Sequence, residues 1–217
     1  MDKTIMITGS SRGLGAQIAK EACKKGYYYY GISRFNDLDV VNYDDIKDYI
    51  LGFYDVYYDE NPNGRPVALI NNAGICVPEN IFELNIENFI ETFRINLFGL
   101  VNCCNLYAKL CKDFSIKGKI INIASTAGLG ARPGRSAYAA SKAAVINFSL
   151  SLTEELRPYG IKVYCVAPGA FESDMRRAIA PDDDYEKMLK PDKVARFILS
   201  LIEDGELLDG QIIKIIK

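Results

Sequence analysis

Ser125, Tyr138 and Lys142 fall within one stretch, Ser125-Thr-Ala-Gly-Leu-Gly-Ala-Arg-Pro-Gly-Arg-Ser-Ala-Tyr138-Ala-Ala-Ser-Lys142. A helix over the Tyr-x-x-x-Lys portion sets the phenol and the ammonium on one face, one turn apart. A phenol, with an ordinary pKa of about 10, is a poor acid at neutral pH. An ammonium about 4 Å away, at an effective dielectric of about 20, favours the phenolate by about 4 kcal/mol. That equals about three pKa units, so the spacing predicts a tyrosine drawn toward neutral pH that can give or take a proton. On its own, Tyr-x-x-x-Lys also describes a tyrosine and a lysine on any amphipathic helix. The rest of the chain decides.

Composition narrows the chemistry first. Histidine is absent from the 217 residues, which removes Ser-His-Asp and Cys-His nucleophilic catalysis and any histidine-ligated zinc. No metal site is expected. Cys23, Cys76, Cys103, Cys104, Cys111 and Cys165 form no C-x-x-C pair and read as buried, reduced thiols. The formal net charge is −2 with no basic run, so nucleic acid is not an expected partner. No segment approaches the roughly 20 apolar residues of a membrane span. The start, Met1-Asp-Lys-Thr-Ile-Met-Ile-Thr8, runs straight into a strand pattern without a secretory leader. The expectation is a cytoplasmic protein with no membrane association.

Short apolar runs alternate with longer helical patterns, as in a parallel α/β sheet. Strands are predicted at Thr4–Thr8, Tyr27–Ile32, Val67–Asn71, Lys119–Ala124, Lys162–Ala167 and Gln211–Ile216, and helices at about 13–25, 44–58, 86–114, 137–158 and 191–203. Runs such as Val67-Ala-Leu-Ile70 and Ile120-Ile-Asn-Ile123 suit strands covered on both faces, whereas Tyr27-Tyr-Tyr-Tyr30 suits a strand near a sheet edge. With no linker or repeat, residues 1–217 form one domain. The expected fold is a single doubly wound parallel sheet of Rossmann type, with helices on both faces.

Directly after the first strand comes Thr8-Gly9-Ser10-Ser11-Arg12-Gly13-Leu14-Gly15. A glycine-rich strand-to-helix turn lets backbone approach a pyrophosphate, and the helix N-terminus favours its negative charge. The spacing is G-x-x-x-G-x-G rather than G-x-G-x-x-G, and an ordinary tight loop is the alternative. The second strand ends Gly31-Ile32-Ser33-Arg34 without a carboxylate at its tip. An acidic residue there holds a ribose 2′-hydroxyl, whereas an arginine accommodates a 2′-phosphate. Arg34, with Arg12 and Ser33, therefore points to NADP(H) rather than NAD(H), two solvated arginines being the alternative.

Taken in order, these residues resemble the short-chain dehydrogenase/reductase family nearly end to end. The T-G-x-x-x-G-x-G turn (Thr8 to Gly15) is followed by Asp39-Val40, Asn71-Asn72-Ala73-Gly74, Asn96 within Arg-Ile-Asn-Leu-Phe-Gly, Ser125, the Tyr138/Lys142 pair and Pro168-Gly169. The resemblance implies that Tyr138 is the general acid/base and that Lys142 lowers its pKa and binds the nicotinamide ribose. It implies that Ser125 holds the substrate oxygen and that Asn96 holds a water in a proton relay. Asp39, with Val40 beside it, would reach the adenine. Asn71, Asn72, Ala73 and Gly74 would lie along the cofactor's ribose, and Pro168 and Gly169, followed by Ala170 and Phe171, would border the nicotinamide. It further implies a homodimer or homotetramer paired through the helices at 86–114 and 137–158.

The chain departs from the family pattern in three places. Only Phe35-Asn-Asp-Leu38 separates the second-strand tip from Asp39-Val40, so a helix usual there is expected to be missing. After Pro168-Gly169 the next helix is expected only near Pro191, leaving a short lid with Asp182-Asp-Asp184 solvated and a pocket that is open or completed by a neighbouring subunit. The chain also ends just after its last strand. The expected activity is NADP(H)-dependent interconversion of a ketone and a secondary alcohol by hydride transfer. The motifs look most like the 3-oxoacyl-carrier-protein reductases, which suggests a 3-oxoacyl thioester. Arg132, Arg135, Arg176 and Arg177 could take an anionic tail, which keeps a sugar or nucleotide-sugar reductase open as the alternative. A non-catalytic NADP(H) sensor is the rival of another class, but such proteins lose the tyrosine or the lysine, and both are present.

Overall fold

The structure is a computed structural model that describes residues 3–60 and 66–217, with side chains for 3–52 and 66–217. Met1 and Asp2 of the start read above lie outside the described residues. The elements run β1 (Thr4–Thr8), α1 (Gly13–Lys24), β2 (Tyr28–Ile32), α2 (Tyr43–Glu60), β3 (Pro66–Asn71), α3 (Ile86–Phe93), a π-helical turn (Arg94–Gly99) and α4 (Leu100–Asp113). They continue with β4 (Lys119–Ile123), α5 (Ser136–Leu156), β5 (Lys162–Pro168), α6 (Asp174–Ile179), α7 (Pro191–Asp204) and β6 (Ile212–Ile215). The strands form one sheet in the order β2-β1-β3-β4-β5-β6, and every pairing is parallel. The strand order reverses between β1 and β3, and the crevice beyond their carboxyl ends is where such sheets bind ligands.

Side chains alternate across the strands, and both faces are covered. Ile5, Ile7, Ile70, Ile121 and Val166 pack with Leu14 and Ile18 of α1 and Val194 and Ile198 of α7. Their strand neighbours Met6, Leu69, Ile120 and Cys165 pack on the other face with Ile46, Tyr107, Val145 and Ile146 of α2, α4 and α5. The tyrosine run behaves as an edge strand should: Tyr27 is buried, Tyr28 and Tyr29 are exposed, and Tyr30 lies against Tyr49.

The structure differs from the sequence reading in particular places. The helix expected over 86–114 is interrupted by the π turn, a one-residue insertion that turns the downstream apolar face relative to the upstream one. The helix expected to be missing after β2 is indeed absent, a single 3-10 turn over Arg34–Asn36 standing before Asp39. The region after Gly169 is not bare. Ser173 caps the short helix α6 by accepting from the Arg176 N–H at 3.1 Å, and Asp183 is half-buried in an ion pair with Arg176 rather than solvated. The thiols are not all buried either: Cys23 is exposed and Cys76 half-buried. Among the described residues no helix is long and apolar enough to cross a membrane, and no cluster of three or more metal-ligating side chains occurs.

The close approach of α1 to the β1 turn fixes one residue type. A Cβ on Gly15 would stand 2.1 Å from the Gly9 carbonyl oxygen and 2.6 Å from Asn72 Nδ2. Gly15→Ala is expected to destabilise the fold by about 1–3 kcal/mol through overpacking, read as a lowered midpoint in urea unfolding; a wild-type midpoint would refute this account of the turn.

Candidate active site

The loop after β3 lies between the glycine turn and the helix that carries the tyrosine. Thr8, at the end of β1, is buried, and its hydroxyl oxygen accepts from both the Asn72 and Ala73 N–H groups at 2.9 Å. Asn72 returns its side-chain amide to the carbonyls of Thr8 and Gly9 at 3.1 and 3.2 Å. Two residues on, Ile75 is gripped by Asn96 from the π turn, which accepts from its N–H at 2.8 Å and donates to its carbonyl at 2.9 Å. The second Asn96 amide hydrogen goes to Ser141 Oγ at 3.0 Å, and Ser141 in turn donates to the Tyr138 carbonyl at 2.8 Å. Gly74 passes so close that a Cβ there would stand 3.0 Å from Asn96 Oδ1 and 3.6 Å from Lys142 Nζ.

Ser125 follows β4 and accepts from the Ala127 N–H at 3.1 Å, which opens a 3-10 turn lying directly on α5. A Cβ on Gly128 in that turn would clash with the main chain at Lys142, 2.6 Å away. The turn thereby holds Ser125 in hydrogen-bonding reach of the Tyr138 phenol. Lys142 is buried, with its Nζ 5.9 Å from the centre of the Tyr138 ring. The structure thus brings Asn96, Ser125, Tyr138 and Lys142 to one end of the crevice.

At the other end the chain is shaped for a dinucleotide. Gly9 and Gly13 adopt positive φ, at 65° and 56°. Helix α1 starts without a side-chain cap, so its first N–H groups remain available to an anion. Ser11, Arg12 and Gly13 are exposed, while Leu14 and Gly15 are buried beneath them. Val40 is buried against Gly99, and its carbonyl accepts from Asn102 at 3.2 Å. Pro168 ends β5, and the Gly169 N–H donates to the Ile215 carbonyl at 2.8 Å, which holds both beside the crevice.

A family model described as short chain dehydrogenase matches residues 34–184. The chain belongs to the short-chain dehydrogenase family. Among curated relatives, the 3-oxoacyl-[acyl-carrier-protein] reductase of Chlamydia trachomatis is 29% identical, over 99% of this chain and 96% of the relative. Among solved structures, ElxO with NADP bound superposes with a TM-score of 0.86 at 26% identity, covering 99% of this chain and 97% of that one. 4-Hydroxyisoleucine dehydrogenase complexed with NADH gives 0.84 at 26% identity, over 99% and 96%. The protein is an oxidoreductase of the class that acts on CH–OH and carbonyl groups.

The geometry bears on four of the assignments for this dehydrogenase. Asn71 does not face a ribose: its Nδ2 donates to Asn122 Oδ1 at 2.9 Å and Cys104 Sγ at 3.2 Å within the core. Strand alternation could have found this, since Asn71 shares a face with Leu69. Ser33 is buried, and its hydroxyl donates to Asn36 Oδ1 at 2.5 Å rather than toward a phosphate. Asn96 uses its whole side-chain amide on Ile75 and Ser141, so that side chain positions the loop. Of the four arginines at the mouth, Arg176 is paired with Asp183 and Arg177 with Glu172, and Arg132 donates to the Ala131 and Thr126 carbonyls. Arg135 is the one whose charge acts on both Tyr138 and Cys76. Ser141 and Glu91 carry parts of the site that the sequence did not single out; only Ser141, one helical turn from Tyr138, carried a readable signal.

The electrostatics also reverse an expectation. Burial is the largest influence on Tyr138 and raises its phenol above the ordinary value, with a hydrogen bond to Ser125 opposing it. Burial likewise pushes the Lys142 ammonium down to about 8. Its Nζ donates to the Ile123 carbonyl at 2.8 Å and not to the phenol. A pairwise Coulomb estimate leaves out the desolvation of both groups, and here desolvation wins.

Keeping that ammonium out of water costs the folded state about 3 kcal/mol at neutral pH, from the fall of Lys142 from 10.5 to about 8. The cost is fully present below about pH 8. It is relieved between about 8 and 10.5, where the unfolded chain binds a proton that the folded chain has released. The unfolding free energy of wild type relative to Lys142→Met is therefore expected to be constant below about pH 8 and to rise between 8 and 10.5. Urea unfolding across that range checks this, and a pH-independent difference would refute it.

Proposed function

We propose that this short-chain dehydrogenase is an NADP(H)-dependent reductase that converts a ketone to a secondary alcohol, with a 3-oxoacyl thioester as substrate. The observation that carries the reading is the placement of Ser125, Tyr138 and the buried Lys142 at one end of a crevice whose other end is a glycine-lined helix N-terminus. Bound along that crevice, the nicotinamide dinucleotide would supply the hydride. The protein then has one proton to manage and one oxygen to place. Ser125 holds the substrate oxygen, and Tyr138 donates its proton to that oxygen as negative charge develops. Lys142, in its charged form, stabilises the phenolate left behind and binds the nicotinamide ribose. Asn96 is the positioning group, tying the Ile75 main chain through Ser141 to the helix that carries Tyr138.

At neutral pH the Tyr138 phenol is in its acid form, the form that reduction needs. The NADP(H) preference rests on Arg34 and Arg12 at the adenosine end, and the substrate class on likeness to 3-oxoacyl-[acyl-carrier-protein] reductases. Arg135 beside the phenol suits an anionic tail. A nucleotide sugar also has one, so it stays as the second reading. The protein is expected to act as a homodimer or homotetramer, since Ile81, Phe82, Ile86, Ile90 and Phe98 leave an apolar surface around α3.

The test follows NADPH oxidation with an acetoacetyl thioester, beside a nucleotide-sugar ketone and NADH. Tyr138→Phe is expected to lose at least about 100-fold in turnover while still binding NADPH; unchanged turnover would overturn the assignment. Turnover only with the nucleotide sugar would favour the second reading. In the wild type, kcat/KM for reduction is expected to be level below about pH 8 and to fall above it, as Lys142 loses the charge that stabilises the phenolate. A pH profile flat through 9 would remove Lys142 from that role.

A further inference from the structure

Four charged side chains interlock at the tip of β2. Arg34 Nε stands 2.8 Å from Asp39 Oδ2, and a terminal nitrogen of the same guanidinium stands 3.5 Å from Glu91 Oε1. The other Glu91 oxygen lies 3.2 Å from Arg94, one turn further along. Glu91 belongs to α3, so an acidic residue remote in sequence reaches the side chain best placed to meet a 2′-phosphate. Two guanidinium groups and two carboxylates cancel, and the cluster as a whole is neutral.

This neutrality bears on which dinucleotide is preferred. A 2′-phosphate is drawn to Arg34 but is repelled by the two carboxylates that already share it. A 2′-hydroxyl carries no charge to repel and can donate to a carboxylate. Arg34 still has N–H donors left over, since a guanidinium carries five. The carboxylates therefore weaken its selectivity for phosphate without abolishing it.

We propose that Glu91 is a cofactor-specificity residue: by sharing the Arg34 guanidinium with Asp39 it lowers the preference for a 2′-phosphate, so that NADPH is favoured over NADH by less than Arg34 alone would give. The inference rests on the dinucleotide site proposed above. Asp39 has a second task, since its Oδ1 accepts from the Val41 N–H at 3.2 Å and shapes the loop. Among the described residues the ion pairs of Glu91 are to Arg34 and Arg94, so its part at this site is one of charge. All four side chains are at least partly exposed, so the effect is screened by salt and is a shift in ratio rather than a switch.

Fluorescence titration of NADPH and of NADH, which differ only at the 2′ position, measures this directly at low ionic strength. Glu91→Gln is expected to tighten NADPH by about two- to five-fold, the range of an exposed charge pair, and to leave NADH unchanged. The gain is expected to vanish when Arg34 is also replaced by alanine, and the thermal midpoint of Glu91→Gln is expected to match wild type. An unchanged NADPH/NADH affinity ratio in Glu91→Gln would overturn the inference, as would an equal gain in the Arg34→Ala background. Wild-type protein that binds neither dinucleotide would instead overturn the cofactor reading beneath it. A wild type that binds both, with a ratio indifferent to Glu91, leaves that reading standing and removes only the role of Glu91.

Discussion

The short loop from Asn72 to Ile75 is fastened at both ends by side-chain hydrogen bonds, and the geometry of the site follows from that. At one end the Thr8 hydroxyl takes two of its N–H groups; at the other Asn96 takes both main-chain groups of Ile75. The path then continues through Ser141 to the main chain of Tyr138. The glycine turn that would meet a pyrophosphate and the helix that carries the phenol thus belong to one hydrogen-bonded unit. Each of these bonds contributes modestly, but leaving one of their buried partners unmade costs about 1–3 kcal/mol. The network therefore resists partial loosening, and hydride transfer needs its two ends held in a fixed relation.

Much of this was legible in the residues. The Tyr-x-x-x-Lys spacing, the glycine turn after β1 and the alternation of apolar runs with helical patterns are local signals, and local rules read them. What escaped was of three kinds. The ion pairs of Arg34 with Asp39 and Glu91, and of Arg176 with Asp183, depend on which side chains the fold brings together, and no periodicity encodes that. The short helix α6 escaped because six residues make less than two turns and display no stripe. The direction of the Tyr138 shift escaped for another reason. A pair of charges can be placed from spacing, but the depth at which they sit cannot.

Burial at Lys142 opposes stability and serves the proposed chemistry. The same removal from water that weakens the ammonium strengthens its interaction with whatever charge develops on the phenol. A second polar thread runs through the adjoining core, where Asn71, Asn122 and Ser149 are linked side chain to side chain under the β3–β4 pair. That thread fixes the lateral register of β3 and β4 beneath the loops that hold the site, at a depth where an unmatched amide would be costly.

The π turn over Arg94–Gly99 has a geometric consequence for the helix it interrupts. One extra residue in a helix of 3.6 residues per turn rotates everything downstream by about 100° around the axis. Without it, α3 and α4 would present a single continuous stripe, and a side chain suited to the core would be carried round to the crevice. With it, Asn96 is directed at the Ile75 main chain while Cys103 and Tyr107, a few residues later, are fully buried beneath the sheet. A single inserted position thus acts as a gear between two faces, letting one rod-like segment answer both to the packing of the core and to the alignment of the loop.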